Sequence, residues 1–177
     1  AIVCKALFLA TGILRTGKRR VIVYLSSINE SLEFEKLIHE VFLKYHGIPI
    51  TTYNLNCNTT RQNRSKILDD FSTTDYGNIK IICNVRILNE AIDIVACDSV
   101  FITNVSKGST NDIVPVQRLG RALRIDKNNP TKRAAMFMWC DEYEDTIAPL
   151  QLLKQEDVEF HRKINVLNTN YENSVKD

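Results

Sequence analysis

Residues 21–45 read VIVYLSSINESLEFEKLIHEVFLKY, and the spacing of the hydrophobic residues changes within them. The first five, Val21–Leu25, form an apolar β-branched run, which is typical of a strand buried on both faces of a parallel sheet. From Leu32 to Tyr45 the apolar residues recur at intervals of three and four, which indicates the inner face of an amphipathic helix. Either Asn29 or Ser31 is expected to cap that helix.

The order of strand and then helix repeats along the chain. The predicted elements are a helix over Ala1–Leu14, the strand Val21–Leu25, a helix ended by Gly47, an extended segment from Pro49 to Leu55, a helix begun by Thr59 or Thr60 and reaching Phe71, strands at Ile79–Cys83 and Val100–Thr103, a helix through Gln117–Arg124, and a strand at Ala134–Trp139. This alternation predicts an α/β domain of three layers, with a mostly parallel central sheet flanked by helices. In such sheets ligands bind in the loops at the carboxyl ends of the strands.

The character of the chain changes after Trp139. An acidic segment at 141–145 is followed by helical spacing over 150–164 and by a polar, asparagine-rich end. The 177 residues fit one domain with an appendage better than two domains. We therefore expect a domain over residues 1–140 and a C-terminal helical extension with a polar tail over residues 141–177. The chain starts at Ala1 without Met, which suggests a fragment of a longer polypeptide.

Composition limits the classes of function. A net charge of +2 permits a nucleic-acid partner but does not require one. The cysteines are dispersed without a C-x-x-C pair, which favours a reducing intracellular compartment and predicts no metal site; they are Cys4, Cys57, Cys83, Cys97 and Cys140. No apolar run approaches the ~18–20 residues that span a bilayer, so no membrane partner is expected. The asparagine and isoleucine content is typical of AT-rich genomes, for example that of a large DNA virus.

One apparent phosphate-binding motif is rejected. Gly12-x-x-x-x-Gly17-Lys18 matches the phosphate-binding loop until Arg19, which stands where a Ser or Thr would bind magnesium. A true loop of this kind follows a strand and opens a helix, because the helix N-terminus supplies the amides that hold phosphate. Here the order is reversed, and the residues are better explained as the end of a helix and a basic turn.

The most informative segment is Gln117-Arg-Leu-Gly-Arg-Ala-Leu-Arg124. On a helix, Gln117, Arg121 and Arg124 fall at positions i, i+4 and i+7, so the three side chains project from one face. Guanidinium groups in such a row suit a polyanion. Considered alone, the row is explained equally well by a solvated helix face.

This segment resembles the Q-x-x-G-R-x-x-R form of motif VI in superfamily 2 helicases. Asn84–Asp93 resembles their motif V, whose usual ending E-G-x-D here reads E-A-I-D. Val21–Ser27 is similar to motif IV, and Arg64-x-x-x-Leu68-x-x-Phe71 resembles the family's R-x-x-x-L-x-x-F helix. The four elements stand in the family's order over roughly residues 20–140.

The resemblance implies the second of two RecA-like domains, with ATP and Mg²⁺ bound mainly by an N-terminal RecA-like domain of the same polypeptide. Arg121 and Arg124 would act as arginine fingers on the γ-phosphate, with Gln117 positioning the attacking water. Asp93 would face either the nucleotide ribose or the motif VI helix, and Gly120 would lie on the nucleotide side. The parent would be an ATP-dependent helicase or translocase, and the isolated domain would be inactive.

The resemblance also implies contacts to the backbone of single-stranded DNA or RNA, without readout of its sequence. The candidate contacts are Ser26, Ser27, Arg61, Arg64, Asn84, Lys107 and Thr110. For each Ser or Thr, a role in a cap or turn is an equal alternative. For Arg61 and Arg64, a position on a solvated helix face is an equal alternative. Motif V departs from the family at three positions: Ala91 replaces Gly, Val95 replaces Pro, and Asn84 replaces Thr.

Three functions are consistent with these residues. The leading one is the motor half of an ATP-dependent helicase or translocase. The second is a nucleic-acid-binding module, or pseudo-helicase, that no longer hydrolyses ATP. The third, an α/β interaction domain without nucleic acid, requires the row of Gln117, Arg121 and Arg124 to be accidental and is ranked last.

Overall fold

The structure, a computed structural model, describes residues 1–73, 75, 77–89, 94, 96–105, 134–140 and 151. Its elements are α1 Ile2–Thr16, β1 Arg20–Tyr24, α2 Ile28–His46, β2 Thr51–Leu55, α3 Arg61–Phe71, β3 Lys80–Asn84, a 3-10 turn Ile87–Asn89, β4 Ser99–Val105 and β5 Ala135–Cys140. The predicted alternation is confirmed for these elements, whose ends move by a few residues. The predicted helix over Gln117–Arg124 lies outside the described residues, and so does the extension over 141–177 apart from Gln151.

The five strands form one sheet in the order β2-β3-β1-β4-β5, and every described pair of neighbours is parallel. The first strand of the sequence is therefore the middle one: Val21 lies opposite Ile81 on one side and Ser99 on the other. Since all five strands run the same way, the loops that follow them meet at one edge, called here the carboxyl edge. The opposite edge is the amino edge.

Helices cover both faces of the sheet, as the three-layer prediction requires. Val21 and Val23 of β1 belong to an apolar cluster with residues of α1 and α2. Ile22 points to the other face and joins a second cluster that includes Phe71 at the end of α3. The apolar run at the start of β1 is thus buried on both sides, which is why it shows no alternation with polar residues.

Glycine ends the first two helices. Gly17 has a φ of 68° and donates its N–H to Ile13 O at 2.9 Å, and Gly47 has a φ of 63° and donates to Leu43 O at 3.1 Å. Both conformations lie in the left-handed region, where a side chain is unfavourable. The prediction that Gly47 ends α2 is confirmed. So is the interpretation of Gly12 to Lys18 as the end of a helix and a turn.

Two buried cations tie the loop after α3 to the amino edge. The Arg20 guanidinium donates to Asn78 O at 2.5 Å, to Thr73 O at 2.9 Å and to Asp75 Oδ1 at 2.9 Å. Lys80 Nζ donates to Thr73 Oγ1 at 2.6 Å and lies 3.4 Å from Asp75 Oδ1. Buried charges are tolerated only when they are paired and hydrogen-bonded in this way. The cluster is structural, and it fixes the start of β1 and β3.

Candidate functional site

The carboxyl edge brings three candidate segments together. Backbone hydrogen bonds extend the sheet beyond the strand ends: Leu25 N donates to Asn84 O at 3.0 Å, and Val85 N donates to Leu55 O at 2.9 Å. The segments that follow β1, β2 and β3 therefore lie side by side. The candidate residues that fall on them are Ser26, Ser27, Arg61, Arg64 and Asn84. The remaining candidates lie outside the described residues; they are Asp93, Lys107, Thr110, Gln117, Gly120, Arg121 and Arg124.

Ser27, and neither Asn29 nor Ser31, caps α2, which corrects the prediction. Its Oγ accepts a hydrogen bond from Glu30 N at 3.2 Å, and Glu30 Oε2 accepts one from Ser26 N at 3.0 Å. The signal in the sequence was the spacing Ser-x-x-Glu, which is typical of a reciprocal cap at a helix start. Ser27 therefore has a structural role, whereas the Ser26 side chain is exposed to solvent.

The N-terminus of α2 already carries a negative charge. The Glu30 carboxylate lies in the first turn, where the helix dipole favours an anion. Lys5 Nζ of α1 lies 4.0 Å from Glu30 Oε1 and partly balances that charge. A phosphate that approached this helix end would compete with Glu30, so the end of α2 is a weaker anion site than its position at the carboxyl edge suggests.

Asn84 is fully buried at the end of β3, and it organises the turn that follows. Its Oδ1 accepts hydrogen bonds from Ile87 N at 3.2 Å and from Leu88 N at 3.1 Å. Its Nδ2 is also buried and has no hydrogen-bond partner among the described residues. The acceptor side of this amide thus shapes the 3-10 turn, and only Nδ2 remains to donate to a bound group.

The sequence did not single out Arg86, which occupies the same turn. Its φ is 61°, a left-handed conformation that is uncommon for any residue other than Gly, Asn or Asp. Val85 before it and Leu88 after it are both buried, whereas Arg86 is exposed. No pattern of side chains predicts a positive φ at an arginine, so only the structure reveals this feature.

The start of α3 contributes two arginines to the carboxyl edge. Thr60 caps the helix, because its Oγ1 accepts from Asn63 N at 3.2 Å. This settles the choice between Thr59 and Thr60. Arg61 is exposed, and Arg64 is half-buried, with Nη2 at 3.5 Å from Ile87 O. That contact is long for a hydrogen bond, but it places Arg64 beside the turn that carries Arg86.

A polar groove of about 400 Å³ opens where β2 meets α3. It is lined by Asn54, Asn56, Asn58, Thr59, Asn63, Lys66 and Ile67. Two of its amides are already engaged: Asn54 Nδ2 donates to Ser31 Oγ at 2.8 Å, and Asn56 Nδ2 donates to Asn54 Oδ1 at 2.9 Å. The first bond joins β2 to α2, and the second holds the turn after β2 against that strand, so the inner wall of the groove is fixed by the fold.

Burial keeps two groups near the strand ends protonated at neutral pH, the phenol of Tyr24 and the thiol of Cys83. Burial raises the pKa of Tyr24, the last residue of β1, well above its usual range, and Cys97 adds to the shift. Burial also raises the pKa of Cys83, with a smaller contribution from Glu35. No three His, Cys, Asp or Glu side chains gather in the described ranges as they would to hold a metal ion. Apart from the Glu30 carboxylate, the described part of the edge offers hydrogen-bond donors and positive charge.

Comparison with known families identifies one match. The family model described as helicase conserved C-terminal domain matches residues 2–126 of this chain. The match therefore includes every described element except β5, and it extends through the segment Gln117–Arg124. A search of curated proteins finds no match. None of the described helices is long and apolar enough to cross a membrane.

Solved structures with a similar fold include two helicases and one ATPase. The Mycobacterium smegmatis helicase Lhr, bound to ssDNA and AMP-PNP, aligns with a TM-score of 0.60 and 16% identity over 85% of this chain. Domain 2 of the DEAD-box helicase Mss116p, bound to an RNA duplex, aligns with a TM-score of 0.52 and 12% identity over 87%. The C-terminal part of the Fun30 ATPase domain aligns with a TM-score of 0.52 and 16% identity over 80%.

At these identities the similarity concerns the fold, and it confirms the predicted RecA-like architecture with its parallel sheet between layers of helices. This chain spans 19% of the Lhr chain, 54% of the Mss116p chain and 41% of the Fun30 chain. Each of these relatives is thus considerably longer than the part that this chain matches.

Proposed function

This chain belongs to the helicase conserved C-terminal domain family, and from that premise we propose that it is the second motor domain of a superfamily 2 ATP-dependent nucleic-acid helicase or translocase. The observation that carries the proposal is the extent of the family match, which runs through residue 126 and so includes Gln117–Arg124. The parallel sheet supports it, because the candidate residues that the structure describes all lie at or just after the carboxyl ends of strands.

The nucleotide chemistry in this proposal is shared between two domains. An N-terminal RecA-like domain in the same polypeptide binds ATP and Mg²⁺, and this chain closes the cleft. Arg121 and Arg124 stabilise the negative charge that develops on the transferred phosphoryl group, and Gln117 orients the attacking water. Asp93 and Gly120 contribute to the nucleotide side of the cleft. The isolated chain lacks the phosphate-binding parts and does not hydrolyse ATP.

Nucleic acid crosses the carboxyl edge in this proposal. The geometry supports contact with the sugar-phosphate backbone, because the described residues there supply a serine hydroxyl at Ser26 and guanidinium groups at Arg61 and Arg64. Groups of this kind bind phosphate without distinguishing bases. Asn84 differs from them, because it is buried and its side-chain oxygen Oδ1 already accepts two hydrogen bonds within the turn. Lys107 and Thr110 complete the proposed set.

The test uses the product of the complete open reading frame. ATP hydrolysis is measured with and without a single-stranded oligonucleotide, for the wild type, Arg121→Ala and Arg124→Ala. Each substitution is expected to lower the stimulated rate by a factor on the order of 10³ or more, as for other arginine fingers. Arg15→Ala is the matched control: it removes the same charge from an exposed position at the end of α1, and it should leave the rate unchanged.

Two results would contradict the motor assignment. One is ATP hydrolysis by the isolated chain at the rate of the complete protein, and the other is full stimulated activity in Arg121→Ala. If the wild type binds strands but hydrolyses no ATP, the chain acts as a binding module of the pseudo-helicase kind. Circular dichroism of each variant establishes that a lost activity does not reflect a lost fold.

A further inference from the structure

Arg86 holds an unusual backbone conformation at the carboxyl edge. Among the described residues it is the only one other than glycine with a positive φ, which is 61°. An arginine in the left-handed region is strained by its Cβ, whereas glycine adopts the same conformation freely and asparagine does so at little cost. Strain of this kind persists only where surrounding contacts enforce it, and it concentrates at functional positions.

Contacts on both sides enforce this conformation. Before Arg86, Val85 N is bonded to Leu55 O at 2.9 Å, and the Val85 side chain is buried. After it, Ile87 N and Leu88 N are both bonded to Asn84 Oδ1. The backbone must change direction between two anchored hydrophobic residues, and the positive φ of Arg86 produces that change. As a result its side chain is exposed at the surface of the turn.

Among the residues that the structure describes, no structural partner accounts for the guanidinium of Arg86. It forms no ion pair with any described residue, in contrast to Arg20, which is fully buried and bonded to the loop after α3. Two arginines of α3 lie at the same edge, because Arg64 lies beside Ile87 and Arg61 begins the helix, whereas Asp69 and Asp70 stand at its other end. A group of like charges at one edge favours a polyanion as the ligand.

We propose that Arg86 binds a backbone phosphate of the nucleic-acid strand and that the strained turn serves to present it. The inference rests on the proposed function and adds a contact residue to it. A guanidinium matches phosphate oxygens through paired donors and carries its charge at every physiological pH. Asn84 is then a positioning residue, since it affects the bound nucleic acid only through the conformation of the turn that carries Arg86.

The salt dependence of binding tests the contact. The complete protein is titrated into a labelled single-stranded oligonucleotide between about 50 and 200 mM salt, and log K is plotted against log salt concentration. Each phosphate contact to a single strand contributes about 0.7 to the slope. Arg86→Asn removes the charge but keeps a residue that tolerates a positive φ, so we expect weaker binding and a slope smaller by about 0.7.

Three further variants separate charge from strain. Arg15→Asn makes the same substitution near the amino edge and should leave the slope unchanged. Arg86→Lys keeps the charge and should keep the slope. Arg86→Gly removes both charge and strain. The slope of log K against log salt should therefore fall as it does in Arg86→Asn, while the thermal midpoint rises by about 2–4 °C.

The possible outcomes are distinguishable. If the wild type does not bind single strands, the proposed function fails and this inference fails with it. If the wild type binds and Arg86→Asn binds with an unchanged slope, the inference alone is wrong. A change only in the KM for ATP would assign Arg86 to the nucleotide and overturn the phosphate contact. If Arg86→Asn and Arg86→Gly both fail to fold, the side chain is structural and the proposal is overturned.

Discussion

Gly12 of α1 lies directly against the ring of Phe137 on β5, so closely that a Cβ on Gly12 would lie 2.7 Å from Cε1 of that ring. One turn earlier, Phe8 packs edge-on against Trp139, with ring centroids 5.6 Å apart. The helix can approach the strand this closely only because Gly12 has no side chain. A glycine that matched a phosphate-binding pattern in the sequence is therefore explained by packing.

We predict that Gly12→Ala lowers the free energy of unfolding by about 1 kcal/mol. Overpacking a site of this kind costs about 1–3 kcal/mol. The higher helix propensity of alanine offsets about 1 kcal/mol of that cost. Chemical denaturation of the wild type and the variant measures the difference. A more stable variant would show that the Phe137 ring moves aside freely.

Phe137→Leu should restore most of the stability lost in Gly12→Ala, because the smaller side chain makes room for the new methyl group. Gly17→Ala is the contrasting variant. No atom lies within 4 Å of a Cβ at Gly17, and its φ is +68°, so its cost of roughly 1 kcal/mol comes from the backbone. Phe137→Leu should not rescue that variant, and equal rescue of both would contradict the packing explanation.

Arg20→Leu is expected to lower the free energy of unfolding by about 3 kcal/mol or more. The substitution removes a buried charge, so Thr73 O and Asn78 O would lose a donor and Asp75 Oδ1 would lose one of its donors. Arg19→Leu is the matched control. Among the described residues the Arg19 side chain donates one hydrogen bond, to Gly77 O at 3.4 Å in an exposed contact, so its loss should cost less than about 1 kcal/mol. Urea denaturation compares the two variants, and equal costs would contradict the structural role of Arg20.

Asp75 makes part of the stability dependent on pH. Hydrogen bonds from Asn78 and Thr73, with a smaller contribution from Lys80, lower the pKa of Asp75 from 3.8 to about 2. A carboxyl group whose pKa is lower in the folded state stabilises the fold above the unfolded pKa, and the contribution disappears as the pH falls through the folded pKa. Stability should therefore decline between about pH 4 and pH 2. The stability of Asp75→Asn should decline less over that pH window. If the denaturation midpoints of the two proteins fell equally with pH, the assignment to Asp75 would be contradicted.

Substitutions of Ser26 and Ser27 should separate an effect on oligonucleotide binding from an effect on stability. Ser27→Ala removes the cap of α2 and should cost about 1 kcal/mol of stability. Ser26→Ala should cost almost nothing, since Ser26 contacts Glu30 through its backbone N–H. If the Ser26 hydroxyl binds the strand, oligonucleotide affinity falls in Ser26→Ala while the thermal midpoint stays the same. Unchanged affinity would remove Ser26 from the proposed contacts.

Local patterns in the sequence predicted the elements well. The β-branched run at Val21–Leu25 marked the central strand, and Gly47 marked the end of α2. Both signals depend on the residues' own conformational preferences, so they need no knowledge of distant partners. The cap of α2 was misassigned because Asn29 and Ser31 are also good capping residues, and the reciprocal spacing of Ser27 and Glu30 was overlooked.

Long-range features could not be predicted. The order of the strands depends on pairings such as Val21 with Ile81 and Val21 with Ser99, which join distant parts of the chain. The burial of Arg20 contradicts the usual preference of arginine for the surface, and its carbonyl partners carry no sequence signal. The positive φ of Arg86 arises because both of its neighbours are anchored, and that constraint exists only in the assembled sheet.

The central position of β1 has a consequence for how the protein is made. A ribosome delivers β1 before both of the strands that flank it, because Lys80 of β3 and Ser99 of β4 emerge much later. Until then α1 and α2, which are close in the chain, can shield one face of the nascent strand. Ile22 on the other face must wait for α3 and β3. This face of a fully buried strand is thus exposed until those elements emerge, and chaperones that bind short apolar runs are expected to recognise Val21–Leu25 during that interval.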